Sequence, residues 1–324
     1  MARRYTTIAL FLSLAALFGC ADDAESQPRP SHAAQSSGGG WTIDPDLTVN
    51  GFLDCLEARG LSIVSAHRGG PATGVPENSL ASFERTLDSA PALMEFDVAT
   101  SKDGVVFLLH DDTLERTTTG GGVAAEMTWS EISSVRLTDP DGRTTDAAPP
   151  TFADALAALK DRTFAQVDFK RSTRFEDVID EIRRQDAADR VVLIAYTLAQ
   201  AKRLHRLAPD MMISLSMETP DRLEAARAQG LPDDRLLGFT GTRSANADLN
   251  ETLDAADVET IFGTLGGRNS IDRAIAASGE ESRYAEIAAL GVDIIATDRP
   301  IAAHRALLAA DRGAEEGMCG VKRQ

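Results

Sequence analysis

Two histidines and a pair of carboxylates lie close together in the sequence, each beside a short apolar run. His67 and His110 each end such a run, and Glu95 and Asp97 lie two residues apart on a third one. Side chains two residues apart on a β-strand point to the same face. Carboxylates on one face suit metal binding or acid–base chemistry, and imidazole exchanges protons near neutral pH. This stretch therefore predicts a metal or acid–base site.

A second pair with the same spacing follows further along the chain. Asp168 and Lys170 end the apolar run 164–170. Three carboxylates from two strands suit one hard cation with oxygen ligands, Mg²⁺ or Ca²⁺. No cysteine lies near these runs, which argues against a zinc thiolate site. A Glu-x-Asp pair alone is more often a solvated strand edge, but its apolar neighbours and the two histidines favour a site.

Fixed positive charge accompanies these carboxylates. Arg68 and Lys170 suit the oxygens of a phosphoryl group. They could equally balance the charge of the carboxylates, and both interpretations can hold together. The remaining histidines, at positions 32, 205 and 304, receive no role.

The elements that position these residues follow an alternating pattern from residue 61 onward. The predicted strands are Leu61–Ala66, Leu93–Ala99, Val105–His110, Phe164–Lys170, Arg190–Tyr196, Met211–Met217, Arg235–Thr240, Val258–Thr264 and Val292–Thr297. The predicted helices include Asn78–Leu87, Phe152–Leu159, Phe175–Arg184, Ala199–Leu207, Pro220–Ala228, Asn246–Ala255 and Tyr284–Leu290. Alternation of this kind predicts an α/β fold with a parallel sheet.

Nine strands exceed the eight of a (β/α)8 TIM barrel by one. The second and third are joined only by residues 101–104, too few for a parallel crossover. Asp103-Gly104 is typical of a hairpin turn. We therefore expect an extra antiparallel strand after strand two of the barrel, which would place His110 across from Glu95. In such barrels functional residues lie at the carboxyl ends of the strands.

Residues 111–151 form an insertion after this hairpin. They contain the flexible segment Gly120–Gly122, a short helix predicted within 128–137 and a turn at 139–142. An insertion on this side of a barrel commonly covers or shapes the site.

Composition excludes some functions. The chain has 324 residues, is 43% hydrophobic and carries a formal charge of −17. It can bury a large core, and the acidic charge argues against nucleic acid or an anionic membrane surface as a partner. Oligomeric state does not follow from the sequence.

The first forty residues are typical of export. Arg3 and Arg4 precede the apolar segment 8–18, and residues 17–20 resemble a lipobox ending at Cys20. We predict a signal peptide over 1–19, a lipid-anchored flexible tether over 20–40 rich in Pro, Ser and Gly, and a single barrel domain over 41–324. A plain secretory signal is the alternative. Either interpretation predicts an exported protein; the first predicts a lipoprotein on a membrane, facing the periplasm or the cell exterior.

Two cysteines lie near the ends of the predicted domain. An even pair, Cys55 and Cys319, suggests a disulfide in an oxidising compartment. The first and last strands of a closed barrel are neighbours, so these ends could meet. Two unrelated free thiols are the alternative.

Five linked motifs carry a family resemblance. His-Arg-Gly at 67–69, Pro-Glu-Asn-Ser at 76–79, Glu-Phe-Asp-Val at 95–98, Lys-Asp-Gly at 102–104 and His-Asp at 110–111 occur in this order. Together with residues 114–120 and 291–300, they resemble the glycerophosphodiester phosphodiesterase family over about residues 61–305.

The resemblance implies a (β/α)8 barrel with one bound divalent cation. By position it implies metal ligation by Glu95, Asp97 and Asp168, acid–base catalysis by His67 and His110, phosphate binding by Arg68 and Lys170, and support from Glu77 and Asn78. It implies hydrolysis of a small phosphodiester to glycerol 3-phosphate and an alcohol. His67 would be the first base and His110 the acid, and the substrate's own glycerol hydroxyl can be the attacking group.

Two positions depart from the family pattern. The family usually has Glu where this chain has Asp168, so the cation could shift or gain a water. It also tends to have Trp-Thr-Val-Asn near residues 262–267, where this chain has Phe-Gly-Thr-Leu-Gly-Gly. The amides of Gly266 and Gly267 could meet an anion, although an ordinary loop is the simpler interpretation.

Two alternative functions remain open from the sequence. A phospholipase D-like enzyme acting on lysophospholipids or sphingolipids would need an apolar rim, whereas residues 123–150 are polar. A non-catalytic binding lipoprotein of the same fold would not need both histidines.

Overall fold

The computed structural model describes residues 40–324. The predicted signal peptide, Cys20 and all but the last residue of the predicted tether lie outside this range. The strands are β1 Trp41–Ile43, β2 Ile63–Ala66, β3 Ala92–Thr100, β4 Val106–Leu108, β5 Ala165–Phe169, β6 Val191–Ala195, β7 Met212–Ser216, β8 Leu236–Phe239, β9 Thr260–Gly263, β10 Ile294–Thr297 and β11 Val321–Arg323. The helices are α1 Val49–Glu57, α2 Leu80–Ser89, α3 Trp129–Ser133, α4 Phe152–Leu159, α5 Phe175–Arg184, α6 Leu198–Leu207, α7 Asp221–Ala228, α8 Ala247–Asp254, α9 Ile271–Ser278, α10 Arg283–Ala288 and α11 Pro300–Ala309.

Eight parallel strands close into a barrel. Their order is β2, β10, β9, β8, β7, β6, β5 and β3, and pairing of β2 with β3 completes the circle. The predicted (β/α)8 fold is confirmed, and each of the nine predicted strands is present with ends shifted by two residues or fewer. The sequence missed β1 and β11, which pair with each other outside the barrel.

The extra strand forms the predicted antiparallel hairpin, with a different register. Val98 pairs with Leu108, and the Leu109 amide donates to the Asp97 carbonyl at 3.1 Å. His110 therefore does not lie across from Glu95, and that prediction is wrong by one residue. Residues 101–105 connect the two strands, with the Ser101 amide donating to the Val105 carbonyl at 2.9 Å and Gly104 at φ 86°, a left-handed conformation that glycine adopts readily.

The barrel strands bury both faces, and alternate residues form two separate cores. One set faces the surrounding helices. The other points inside the barrel and includes Ile63, Leu93, Val192, Met212, Leu237, Ile261 and Ile294. These seven lie at or near the beginnings of their strands, and they pack against Phe52, Leu53 and Leu56 of α1. Helix α1 therefore plugs the amino end of the barrel and leaves the carboxyl end as the open mouth.

Surrounding helices take their positions from amphipathic patterns and caps. In α5 the buried residues are Val178, Ile179 and Ile182, and the opposite face is charged. Each buried side chain of this size contributes about 1.5–3 kcal/mol of hydrophobic free energy. Helix α2 begins two residues later than predicted because the Ser79 hydroxyl accepts the Ser82 amide and caps it.

Cys55 of α1 and Cys319 near the carboxyl terminus are joined by a disulfide, with Cα atoms 5.6 Å apart. The two ends of the described chain thus meet beneath the barrel. Residues 111–151 lie at the other end, and Leu114 and Ile132 among them pack with Phe107 of β4 in a small third core. The helix predicted within these residues is shorter than expected and spans Trp129–Ser133.

Among the described residues, no helix combines the length and apolarity needed to cross a bilayer.

Candidate active site

Three carboxylates meet inside the barrel mouth. Asp97 of β3 lies beside Asp168 of β5 in the parallel register, and Glu95 lies one interior position below. Each offers an oxygen within 4.8 Å of the other two, and all three side chains are buried. Alternation along two adjacent strands places them there, since both runs keep the same face toward the barrel axis. The structure thus brings together the three predicted metal ligands.

The charge and hydrogen bonding of this triad are compatible with a bound cation. Burial and the nearby Asp97 charge raise the pKa of Glu95 to about 8. Burial acts in the same direction on Asp97, but Lys170 and Arg68 outweigh it and lower that pKa. The Oδ1 atom of Asp168 is buried and has no hydrogen-bond partner in the described part of the chain. An unsatisfied oxygen beside two further carboxylates fits a hard cation such as Mg²⁺ or Ca²⁺.

Both predicted phosphate-binding residues lie against the triad. Lys170 Nζ is 2.6 Å from Asp97 Oδ1 and 2.7 Å from Asp168 Oδ2. Arg68 Nη1 donates to Glu77 at 2.8 Å, and its Nε lies 3.5 Å from Asp97. In this structure the two cations balance carboxylate charge. Because both lie at the mouth, they could also contact an anionic substrate.

A tight turn after β2 sets the direction of Arg68. Its φ of 53° is left-handed, and its amide donates to Glu95 Oε2 at 2.7 Å. The next residue, Gly69, also has positive φ, and a Cβ there would lie 2.2 Å from Ser82 Oγ and 2.7 Å from Phe83. The turn therefore requires glycine at position 69. It also brings the Arg68 amide into contact with Glu95, a predicted metal ligand.

Asn78 supports the triad through a pair of hydrogen bonds. Its Nδ2 donates to Asp97 Oδ2 at 2.7 Å, and its Oδ1 accepts the Asp97 amide at 3.0 Å. Asn78 also has a left-handed φ of 53°, which asparagine tolerates better than most residues. It therefore lies before helix α2 rather than within it, which corrects the predicted start of that helix.

His67 is paired with a carboxylate that the sequence analysis missed. Its Nδ1 lies 2.6 Å from Oδ1 of Asp298, which follows β10. Burial lowers the pKa of His67, but the hydrogen bond to Asp298 and the charge of Glu95 outweigh it, and the pKa is raised. Residues 291–300 had been recognised as a family motif, but nothing in their spacing connected Asp298 with His67.

Asp298 is itself held from two sides. Its amide donates to Asp272 Oδ2 at 2.7 Å, and its Oδ2 accepts the Gly266 amide at 3.1 Å. Asp272 is buried and also accepts hydrogen bonds from Tyr284 and Thr297. The Gly266 amide therefore donates its hydrogen bond to Asp298 and not to an external anion.

His110 has a carboxylate partner next to it in sequence. Its Nδ1 lies 2.6 Å from Asp111 Oδ1, and Arg116 donates to the same carboxylate. Arg116 also forms two hydrogen bonds with Glu77, at 2.8 and 2.9 Å. Glu77 thus links Arg68 to Arg116, and Arg116 was not singled out from the sequence. Both histidines turn Nδ1 toward a carboxylate, which leaves Nε2 of each for another partner.

Tyr196 is a further residue that the sequence analysis missed. It follows β6, its side chain is 54% exposed, and its hydroxyl donates to Asp168 Oδ2 at 2.7 Å. The only available signal was its position at the carboxyl end of a predicted strand.

Comparison with known proteins gives a consistent family match. A model of the glycerophosphoryl diester phosphodiesterase family matches residues 67–255. A glycerophosphodiester phosphodiesterase of Caldanaerobacter subterraneus is 27% identical over 161 residues, covering 48% of this chain and 66% of that protein. Probable glycerophosphodiester phosphodiesterase 2 of Mycobacterium tuberculosis is 28% identical over 145 residues, covering 45% and 52% respectively. The matched region spans just under two thirds of the length of the first relative and about half of the length of the second.

Structural comparison extends the likeness over most of the chain. A crystal structure of a glycerophosphoryl diester phosphodiesterase from Parabacteroides distasonis matches with a TM-score of 0.77 and 27% identity. The match covers 88% of this chain and 100% of that one.

Proposed function

This chain belongs to the glycerophosphoryl diester phosphodiesterase family, and we propose that it hydrolyses small glycerophosphodiesters to glycerol 3-phosphate and an alcohol. One observation carries the proposal: a buried acidic triad, two cationic side chains and two carboxylate-paired histidines converge at a single barrel mouth.

Arg68 and Lys170 would hold the phosphate. Both are largely buried, and both already face carboxylates across short distances. A charge-assisted contact of this kind is stronger in a water-poor mouth than at an open surface. Among residues 40–324 the buried Nε atom of Arg68 has no hydrogen-bond partner and lies 3.5 Å from Asp97, so it retains a donor for a phosphate oxygen.

Glu95, Asp97 and Asp168 would hold the divalent cation. The cation, Mg²⁺ or Ca²⁺, would offset negative charge on the phosphate oxygens as the transition state forms. The fit rests on Asp168 Oδ1, which has no hydrogen-bond partner among the described residues, and on Glu95, whose burial beside Asp97 raises its pKa.

The two histidines would move the protons. His67, fixed by Asp298, accepts the proton of the attacking hydroxyl as its oxygen bonds to phosphorus. His110, fixed by Asp111, donates a proton to the leaving oxygen as the old phosphorus–oxygen bond breaks. If the attacking group is the substrate's own glycerol hydroxyl, water then opens the cyclic phosphate and restores both histidines. The balance is one water consumed for each diester cleaved.

The test is release of glycerol 3-phosphate from glycerophosphocholine by the purified protein. We expect release that EDTA abolishes and that Mg²⁺ or Ca²⁺ restores. Absence of chelator-sensitive release would overturn the proposal, and turnover of lysophosphatidylcholine alone would assign the enzyme to the phospholipase D-like alternative.

Separate His67→Gln and His110→Gln variants test the non-catalytic alternative. We expect each to lose at least about 10²-fold in kcat. Wild-type protein that binds glycerophosphocholine without turnover would instead support a binding lipoprotein.

We propose further that the protein is exported and anchored to a membrane through lipid on Cys20, facing the periplasm or the cell exterior. Support comes from the basic and apolar segments before Cys20 and from a disulfide, which persists in oxidising compartments. Metabolic labelling with a radioactive fatty acid should mark the wild-type protein and not Cys20→Ser. Equal labelling of both, or of neither, would contradict the anchor.

A further inference from the structure

Tyr196 contacts the acidic triad from a strand that contributes none of its carboxylates. It is the first residue after β6, and its hydroxyl donates to Asp168 Oδ2 at 2.7 Å. Its backbone is fixed, since the amides of Tyr196 and Thr197 both donate to the Gln200 side chain, at 3.0 and 3.1 Å. Thr197 and Gln200 form the capping box of α6, so the first turn of that helix holds Tyr196 in place.

The two carboxylate oxygens of Asp168 differ in their hydrogen bonding. Oδ2 accepts from both Tyr196 and Lys170, each at 2.7 Å. Oδ1 is buried and finds no hydrogen-bond partner between residues 40 and 324. Two donors on one oxygen fix the rotation of the carboxylate, and the other oxygen is left as a free acceptor. Lys170 is shared between two carboxylates, because its ammonium also lies 2.6 Å from Asp97 Oδ1, whereas the Tyr196 hydroxyl donates to Asp168.

Tyr196 is suited to donate a hydrogen bond to Asp168. A phenol has an ordinary pKa of about 10, so the Tyr196 hydroxyl keeps its proton at neutral pH and donates to Asp168 Oδ2. The residue is 54% exposed and belongs to neither barrel core, so little of the core depends on it. Removal of the hydroxyl should therefore leave the fold unchanged.

We propose that Tyr196 is a positioning residue for the cation site: its hydroxyl holds the short Asp168 side chain so that Oδ1 is presented to a divalent cation. The inference rests on the proposed function for its relevance to turnover, but it concerns cation binding itself. Aspartate reaches one carbon less far than glutamate, and its carboxylate has fewer ways to find a cation unless a neighbour orients it. Groups that orient metal-binding carboxylates typically change metal affinity by about 10–100-fold.

The experiment measures Mn²⁺ binding to metal-free protein by electron paramagnetic resonance, using four proteins besides the wild type. Tyr196→Phe keeps the ring and removes the hydroxyl. Ser282→Ala is the matched control, because it also removes a hydroxyl that donates to a carboxylate, that of Glu286 at 3.2 Å, on α10. Asp168→Glu and the double variant Asp168→Glu/Tyr196→Phe test the coupling between the two side chains.

We expect Tyr196→Phe to bind Mn²⁺ about 10–100-fold more weakly, and Ser282→Ala to bind like the wild type. Asp168→Glu alone should also bind weakly, because its longer arm meets the tyrosine hydroxyl. The double variant should recover much of the lost affinity, a non-additivity that a merely structural tyrosine would not produce.

Equal Mn²⁺ affinity of Tyr196→Phe and wild type would overturn the inference, as would purely additive effects in the double variant. Failure of the proposed function is distinguishable from this. Wild-type protein that binds Mn²⁺ and does not cleave glycerophosphocholine would contradict the function, and the Mn²⁺ comparison would still decide the role of Tyr196. Absence of Mn²⁺ binding by the wild type would overturn both.

Discussion

Nδ1 of His67 lies 2.6 Å from Oδ1 of Asp298, although the two residues are 231 positions apart in the chain. The contact joins the residues that follow β2 and β10, which are neighbours in the closed barrel. A carboxylate at this position fixes both the tautomer and the orientation of an imidazole. The pair is therefore the basis for our first prediction.

Asp298→Asn should lower kcat on the order of 10²-fold, because the amide cannot stabilise the protonated imidazole. Asp298 also helps to raise the pKa of His67, so the limb of the pH–rate profile that reports His67 should move to lower pH. Kinetics from pH 5 to 9 measure both effects. A variant with a lowered rate and an unmoved profile would show that Asp298 acts only on the structure.

His304 should make the protein less stable in mild acid. Its ring is buried on α11, 6.2 Å from the Trp41 ring, and burial lowers its pKa to about 4. The unfolded state, with a pKa near 6.5, binds more protons than the folded state between these values, so stability falls as pH drops from about 6.5 to 4. At pH 5 the loss is about 2 kcal/mol.

Urea unfolding of wild type and His304→Gln at pH 8 and pH 5 measures this contribution. The fall in stability between the two pH values should be smaller in the variant by about that amount. An equal fall in both proteins would contradict the prediction.

Glu259 should have the opposite effect and make the protein less stable as the pH rises toward 8. The residue is 4% exposed, and its buried Oε2 has no hydrogen-bond partner among the residues that the structure describes. Burial, with a smaller contribution from Asp54, raises its pKa to about 8. The folded state therefore binds more protons than the unfolded state between pH 4.5 and 8, and stability falls as pH rises through this window.

Glu259→Gln removes this titration and keeps the shape of the side chain. The variant should be more stable than wild type at pH 8, by roughly 2–4 kcal/mol, and close to it at pH 5. Thermal or urea unfolding at both pH values is the measurement. A variant that is no more stable at pH 8 than at pH 5, relative to wild type, would refute the assignment.

The disulfide between Cys55 and Cys319 should matter for stability and not for turnover. It closes 264 residues of sequence beneath the barrel, away from the mouth. The double variant Cys55→Ala/Cys319→Ala should lose about 4 kcal/mol of unfolding free energy, because its unfolded chain is less constrained. Its kcat at 25 °C should equal that of wild type.

Thiol titration of the denatured, unreduced wild type provides the control for this variant. Two free sulfhydryls in that titration would show that the bridge does not form, and any loss of stability in the variant would then have another cause.

Local patterns in the sequence were sufficient for most of the fold. Strand and helix periods depend on near neighbours, and the short connection 101–104 could only join antiparallel strands. The register of that hairpin was one residue off, because it depends on whether Gly104 belongs to the loop. The strand β1 and the helix α1 were missed, since neither belongs to the repeating pattern.

For the candidate site, the sequence by itself determined which residues share a strand and a face. Glu95 with Asp97, and Asp168 with Lys170, could be assigned to one side of their strands because side chains alternate with a period of two. Only the tertiary structure decided which strands become neighbours and which side chains meet at the barrel mouth. Asp298 meets His67 because β10 closes against β2, and Tyr196 meets Asp168 because β6 pairs with β5. Such contacts depend on the closure and register of the whole barrel, and no spacing along the chain encodes them.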